Sequence, residues 1–95
     1  MRTIAEGLVV DRDSYIVNYK GKVFFLPKKE FELIHLLASR PEKVFTREEI
    51  FKLVWHKDIT PKEGRTIDVH IRKLRSKISE SLIITIKGVG YKIAK

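Results

Sequence analysis

A chain of 95 residues that is 43% hydrophobic has enough material for one compact core and excludes two ordinary domains, so residues 1–95 are read as a single domain. The lack of cysteine excludes a disulfide framework and thiolate zinc, and the wide spacing of His35, His56 and His70 leaves no metal or cofactor expected. With no apolar run long enough to span a membrane and no signal-peptide core after Met1-Arg2-Thr3, the expected location is cytoplasmic, and the net charge of +8 points to a polyanionic partner.

β-favouring residues fall in three runs, 4–10, 15–19 and 22–26, separated by Asp11-Arg12-Asp13-Ser14 and by Lys20-Gly21, which predicts an antiparallel meander. Its charges nearly cancel, because Arg2, Arg12, Lys20 and Lys22 stand against Glu6, Asp11 and Asp13, so the polyanion site is expected elsewhere. Pro27 opens a first helix whose apolar positions Phe31, Leu33, Ile34, Leu37 and Ala38 recur at three- and four-residue steps, and Pro41 stops it. In FTREEI, Thr46 and Glu49 have capping-box spacing and Phe45 and Ile50 that of a hydrophobic staple. A second helix is therefore expected from Thr46 to about Trp55, with Ile50, Phe51, Leu53 and Val54 in the core.

The polar stretch HKDITPKEG, residues 56–64, reads as an exposed loop, although Thr60-Pro61-Lys62-Glu63 could itself cap the next helix. That helix, residues 65–78, places Ile67, Ile71, Leu74 and Ile78 on one narrow stripe. Arg65, Val69, Arg72 and Ser76 lie opposite; Thr66, Lys73 and Lys77 fill one flank, and Asp68 and Arg75 the other. Residues 65–77 carry five basic side chains and one acidic, a net of +4, which is half the charge of the chain. A solvated helix face usually mixes signs at i,i+4 spacing, and here Asp68 with Arg72 is the one acid-base pair so spaced. Two helices joined by a loop, the second basic, follow helix-turn-helix logic, and a helix fits the major groove of duplex DNA but not that of duplex RNA.

The closing stretch ITIKGVGYKI alternates apolar and polar residues on both sides of Gly88-Val89-Gly90, which predicts a hairpin. A phosphate-cradling glycine loop needs a helix after it, and five residues follow Gly90, too few for one. A hairpin after a basic helix suits a wing that lies along DNA and offers Lys87 to the minor groove; the plainer alternative leaves Lys87 and Lys92 solvated.

TREEIFKLVW, RTIDVHIRKLRSKI and ITIKGVGYKI together resemble the OmpR/PhoB family of winged-helix DNA-binding domains, the output half of bacterial two-component response regulators. The resemblance implies an α+β fold: winged helix-turn-helix with an N-terminal antiparallel sheet, three helices and a C-terminal β-hairpin wing. It implies sequence-specific binding of double-stranded promoter DNA at direct repeats in head-to-tail pairs, and without a receiver the free domain is expected to be a monomer. By position, Asp68, Val69, Arg72, Lys73 and Arg75 would meet bases or nearby backbone in the major groove, and Lys87 would enter the minor groove. Trp55, Arg65, Thr66 and Thr85 match phosphate-contacting positions, and Lys77 on the basic flank joins that set. The loop of His56, Lys57, Asp58, Ile59, Thr60, Pro61, Lys62, Glu63 and Gly64 corresponds to the segment that touches RNA polymerase. A receiver domain and a cognate sensor kinase are implied for the full-length protein, and no receiver lies in these 95 residues.

The sequence departs from the family at Pro27, where a capping Thr is usual, and at Lys73 and Lys87, where Arg is common. Lysine offers a point charge in place of a planar fork, so bidentate reading is not expected at either position. Several residues have plainer readings beside the functional ones. Asp68 pairs with Arg72 or accepts from cytosine; Val69 meets a thymine methyl or is simply exposed; His70 is packed or bonded to backbone. Trp55 and Tyr91 are expected to keep their rings in the core and their polar edges for phosphate. The resulting expectation is a transcription regulator and not an enzyme, with a protein-interaction module and a non-specific nucleic-acid coat protein as the rival classes.

Overall fold

Four short strands, β1 (Arg2–Ala5), β2 (Leu8–Asp11), β3 (Ile16–Tyr19) and β4 (Lys22–Phe25), pair antiparallel in sequence order. The structure, a computed structural model, describes residues 2–5, 7–58, 60 and 63–94, the first four by their backbone alone. The run expected as one strand over 4–10 is two, because Gly7 turns at φ 74° and sets Ala5 opposite Leu8. Between β3 and β4, Lys20 and Gly21 both take positive φ, 50° and 86°, the handedness that matches strand twist in a two-residue hairpin. The Asn18 side chain accepts from the Gly21 amide at 3.0 Å and holds that turn. Leu8, Val10 and Val17 are buried beneath the first helix, whereas Val23 and Phe25 on β4 are exposed.

Helix α1 (Lys28–Ser39) begins after Pro27, which has no side-chain cap to offer; its carbonyl accepts from the Phe31 amide at 2.9 Å. Phe31, Leu33, Ile34, Leu37 and Ala38 are all buried, as their spacing predicts. Strand β5 (Phe45–Thr46) leads into α2 (Arg47–Trp55) through the expected capping box: Thr46 Oγ1 accepts from the Glu49 amide at 3.1 Å, and the Glu49 carboxylate accepts from the Thr46 amide at 2.9 Å. Such a cap contributes about 1 kcal/mol, and Phe45 and Ile50 are both buried beside it. Leu53 corrects the expected core, since it lies 53% exposed while Ile50, Phe51 and Val54 face inward. The far end of α2 is held by α1, because the Lys29 ammonium donates to the Val54 carbonyl at 2.8 Å.

Helix α3 (Gly64–Lys77) starts one residue ahead of the expected range. No side chain caps it: Thr60 Oγ1 donates to the Glu63 carboxylate at 2.7 Å, so the possible capping box closes on itself. Ile67, Ile71 and Leu74 are buried and Ile78 is half-buried, so the periodic stripe is the core face, each fully buried side chain contributing roughly 1.5–3 kcal/mol.

Strands β6 (Ile83–Ile86) and β7 (Gly90–Ile93) form the C-terminal hairpin, with β5 added on the other side of β7. The two glycines of GVG have different reasons. Gly88 occupies φ 78° in the 86–89 turn, closed by the Val89 amide on the Ile86 carbonyl at 2.9 Å. Gly90 is a strand residue rather than part of the tip, opposite Thr46, where an added Cβ would sit 1.9 Å from the Phe45 carbonyl oxygen. Gly90→Ala is therefore expected to destabilise the domain by at least ~2 kcal/mol, through displacement of β5. Gly88→Ala should cost about 1 kcal/mol, the strain of a left-handed alanine. Urea unfolding of the two variants checks the ranking, which a larger loss at Gly88 would reverse.

Candidate nucleic-acid interface

Since Ile67, Ile71 and Leu74 anchor α3 from below, the opposite face is presented outward from a rigid base. Arg65, Val69, Arg72, Lys73 and Ser76 are exposed. Among the described residues, Arg65, Arg72 and Lys73 have no hydrogen-bond or ion-pair partner. Val69, 41% exposed, is the apolar member of the stripe.

The flank of Asp68 and Arg75 faces α2 and the hairpin, and both side chains are engaged there. Asp68 accepts the Arg47 guanidinium, from Nε at 3.1 Å and Nη2 at 3.3 Å, together with the Tyr91 hydroxyl. The expected Asp68–Arg72 pair is thus replaced by one across elements, made with the first residue of α2. Arg75 donates from Nε at 3.1 Å and Nη2 at 2.7 Å to the Ile83 carbonyl, and from Nη2 to Thr85 Oγ1 at 2.8 Å. The ring of Tyr91, 5% exposed, is within cation–π reach of both guanidinium groups, 5.8 Å from Arg47 and 5.9 Å from Arg75. Burial, reinforced by the Asp68 carboxylate, raises the pKa of the Tyr91 phenol, and the bond to Asp68 raises that of Arg47. The Tyr91 hydroxyl, expected to serve phosphate, donates to Asp68 instead.

On the other flank Lys77 reaches back to α1, where its ammonium donates at 2.8 Å to Glu30, a carboxylate with 5% of its side chain exposed. His70 is bonded to backbone as expected, with Nδ1 2.7 Å from the Thr66 carbonyl oxygen. Its ring meets Trp55 edge-on at 5.1 Å, and Trp55 stacks on Phe51 at 5.0 Å. Trp55 is half-buried at the end of α2 and Thr66 half-buried in the first turn of α3.

Thr85, Lys87 and Val89 are exposed on the hairpin, with Lys87 immediately before Gly88 in the turn. The α2–α3 loop is braced by Lys57 and Glu63, whose charged atoms are 3.1 Å apart, and hydrogen bonding from Thr60, then from Lys57, lowers the pKa of Glu63. His56, Lys57, Asp58 and Thr60 are exposed, and His56 turns the chain at φ 60°. Ile59, Pro61 and Lys62, also assigned to this loop, lie outside the described residues. Arg47 is the participant that local spacing missed; the capping box marked its place at the head of α2 and carried no sign of a partner 21 residues away. No described group of His, Asp or Glu side chains could hold a metal ion, and no described helix is long and apolar enough to cross a membrane.

A sheet, three helices with a cationic third, and a hairpin beside it define a winged-helix nucleic-acid-binding domain. A family described as "Transcriptional regulatory protein, C terminal" matches residues 21–93. The chain belongs to this family of OmpR/PhoB-type DNA-binding domains, the output domains of response regulators, which are transcription regulators and not enzymes. It is 44% identical over 92 residues to the heme response regulator HssR of Staphylococcus aureus, covering 92% of this chain and 41% of that relative's length. The DNA-binding domain of CpxR from E. coli superposes with a TM-score of 0.86 at 28% identity, covering 100% of this chain and 99% of that one. The DNA-binding domain of the response regulator AdeR, solved in complex with an intercistronic region, does so at 0.83 and 28% identity, with 98% of each chain covered.

The Asp68 contact has a spectroscopic consequence. In Asp68→Asn the carboxylate's share of the raised Tyr91 pKa disappears while burial and the opposing Arg47 charge remain, so the phenol is expected to titrate below its position in the parent. Ultraviolet titration of the phenolate, with Tyr91→Phe to assign the step, measures this. No movement on substitution would mean that burial alone sets the pKa.

Proposed function

We propose that this domain reads duplex promoter DNA with α3 in the major groove and the β6–β7 wing at the minor groove. The observation that carries the reading is the exposed face of α3, where Arg65, Arg72 and Lys73 have no protein partner among the described residues while Asp68, Arg75 and Lys77 are engaged within the protein. Val69, Arg72 and Lys73 meet bases or nearby backbone, and Arg65, Thr66, Trp55 and Thr85 meet phosphates. Lys87 enters the minor groove from the wing turn. Phosphate contacts supply most of the affinity, and the exposed α3 side chains supply the sequence choice.

The domain is monomeric when free and pairs head to tail on direct repeats. Exposed Val23 and Phe25 on the edge strand β4, at 50% and 77%, support a protein contact on that sheet. The full-length protein acts in the cytoplasm, carries a receiver domain and answers a cognate sensor kinase. The braced 56–64 loop and exposed Leu53 beside it support the contact with RNA polymerase.

Gel-shift titration of the domain with promoter and random duplexes tests the reading. Binding of neither at low salt would leave the basic face to an acidic protein, and recovery of no repeated motif from random duplexes would reduce the domain to a non-specific coat. Arg72→Ala is expected to lower discrimination between promoter and random duplex by about 1–3 kcal/mol; equal loss on both would make Arg72 a phosphate contact. Lys87→Ala should weaken binding and reduce the salt slope by roughly one unit, and an unchanged slope would place Lys87 in solvent.

A further inference from the structure

We infer that Arg75 is a positioning residue for the wing and not a reader of bases: it locks β6 onto α3, and so aims the Thr85 hydroxyl at the DNA backbone and Lys87 at the minor groove. This rests on the DNA-binding reading and departs from the base-contacting role that position 75 has by resemblance. A guanidinium has five N–H donors, one on Nε and two on each terminal nitrogen. Arg75 commits the Nε donor and one Nη2 donor to the Ile83 carbonyl and the other Nη2 donor to Thr85 Oγ1. Bidentate recognition of guanine needs two donors on one edge of the fork, either Nε with Nη2 or Nη1 with Nη2. Both edges include Nη2, whose donors are spent, so only Nη1 is left and the fork cannot read a base without releasing the wing.

The same contacts prepare the wing for DNA. Because Thr85 Oγ1 accepts from Arg75, the hydroxyl proton is directed away from the guanidinium and is available to donate to a phosphate oxygen. Thr85 pairs with Tyr91 across the hairpin, and the Tyr91 ring packs within reach of the same guanidinium, so the fork grips both strands. Lys87 lies two residues beyond Thr85 on the β6 side of the turn, and its position follows that of β6. Lysine at 75 would keep the charge and lose the fork.

A double-mutant cycle between Arg75→Lys and Lys87→Ala tests the inference, with binding to the selected duplex measured over a range of salt. In the parent background Lys87→Ala is expected to lower the salt slope by about one unit, and in the Arg75→Lys background by less than about half of that. The motif selected by Arg75→Lys from random duplexes should match the parent's. A relaxed preference at one base position together with an undiminished Lys87 effect would overturn the inference and make Arg75 a base reader. If Arg75→Lys lowers the melting temperature too far for binding measurements, Thr85→Val tests the clamp from its other end: weaker binding to selected and random duplexes alike, with an unchanged motif, supports it, and undiminished binding overturns it. Failure of the parent domain to bind any duplex would overturn the DNA-binding reading itself, and the inference with it.

Discussion

The Asp68 carboxylate joins three elements that are far apart in the chain. It lies in the second turn of α3, accepts the Arg47 fork from the head of α2, and accepts the Tyr91 hydroxyl from β7. Hydrophobic burial fixes how deeply α3 sits, because Ile67, Ile71 and Leu74 are fully inside, but an apolar stripe is tolerant of small rotations about the helix axis. Directional bonds to charged groups are not so tolerant. With Asp68 and Arg75 held on one flank and Lys77 on the other, the rotation of α3 is determined, and with it the direction in which Arg65, Arg72 and Lys73 point.

The hairpin depends on a second constraint, which is steric. Strand β5 is two residues long, yet its Phe45 carbonyl lies so close to Gly90 that no side chain fits there. That approach lets β7 pair on both edges, with β6 and with β5, so the wing is continuous with the N-terminal end of α2. The capping box at Thr46 sits at the junction and therefore serves two purposes. It starts α2 and it holds the strand that anchors the wing. Glu49 in this box has a lowered pKa, mainly from the Thr46 backbone amide and then from Lys43, so its contribution to stability is present above the ordinary glutamate range and is lost as pH falls through the depressed value.

Each departure from the family pattern has a local physical setting. Pro27 cannot supply a capping hydroxyl, and α1 starts with its carbonyl on the Phe31 amide while the Lys29 ammonium links the first turn to the end of α2. Lys73 stays in the exposed stripe and Lys87 in the wing turn, so each exchange of a fork for a point charge falls at a position with no protein partner among the described residues. Arg47 and Arg75, by contrast, use their forks within the protein.

The features legible in the sequence are those encoded by near neighbours in the chain. The three helices, the α2 cap, the core stripe of α3 and the presence of the hairpin depend on short spacings in the chain, which periodicity and capping chemistry expose directly. The split of residues 4–10 at Gly7, the exposure of Leu53 and the strand role of Gly90 escaped that reading, because each depends on what packs or pairs opposite. The same limit applied to the charged face. Spacing placed five cations on one helix, but their partners lie 47 residues away for Lys77 and in the hairpin for Arg75, and Asp68 is claimed from 21 residues away by Arg47. By itself, then, the amino-acid order determined that α3 is a basic helix on an apolar base. Only the tertiary structure decided which of its charges hold the protein together and which are left for DNA, because a salt bridge between distant elements leaves no periodic trace in the chain.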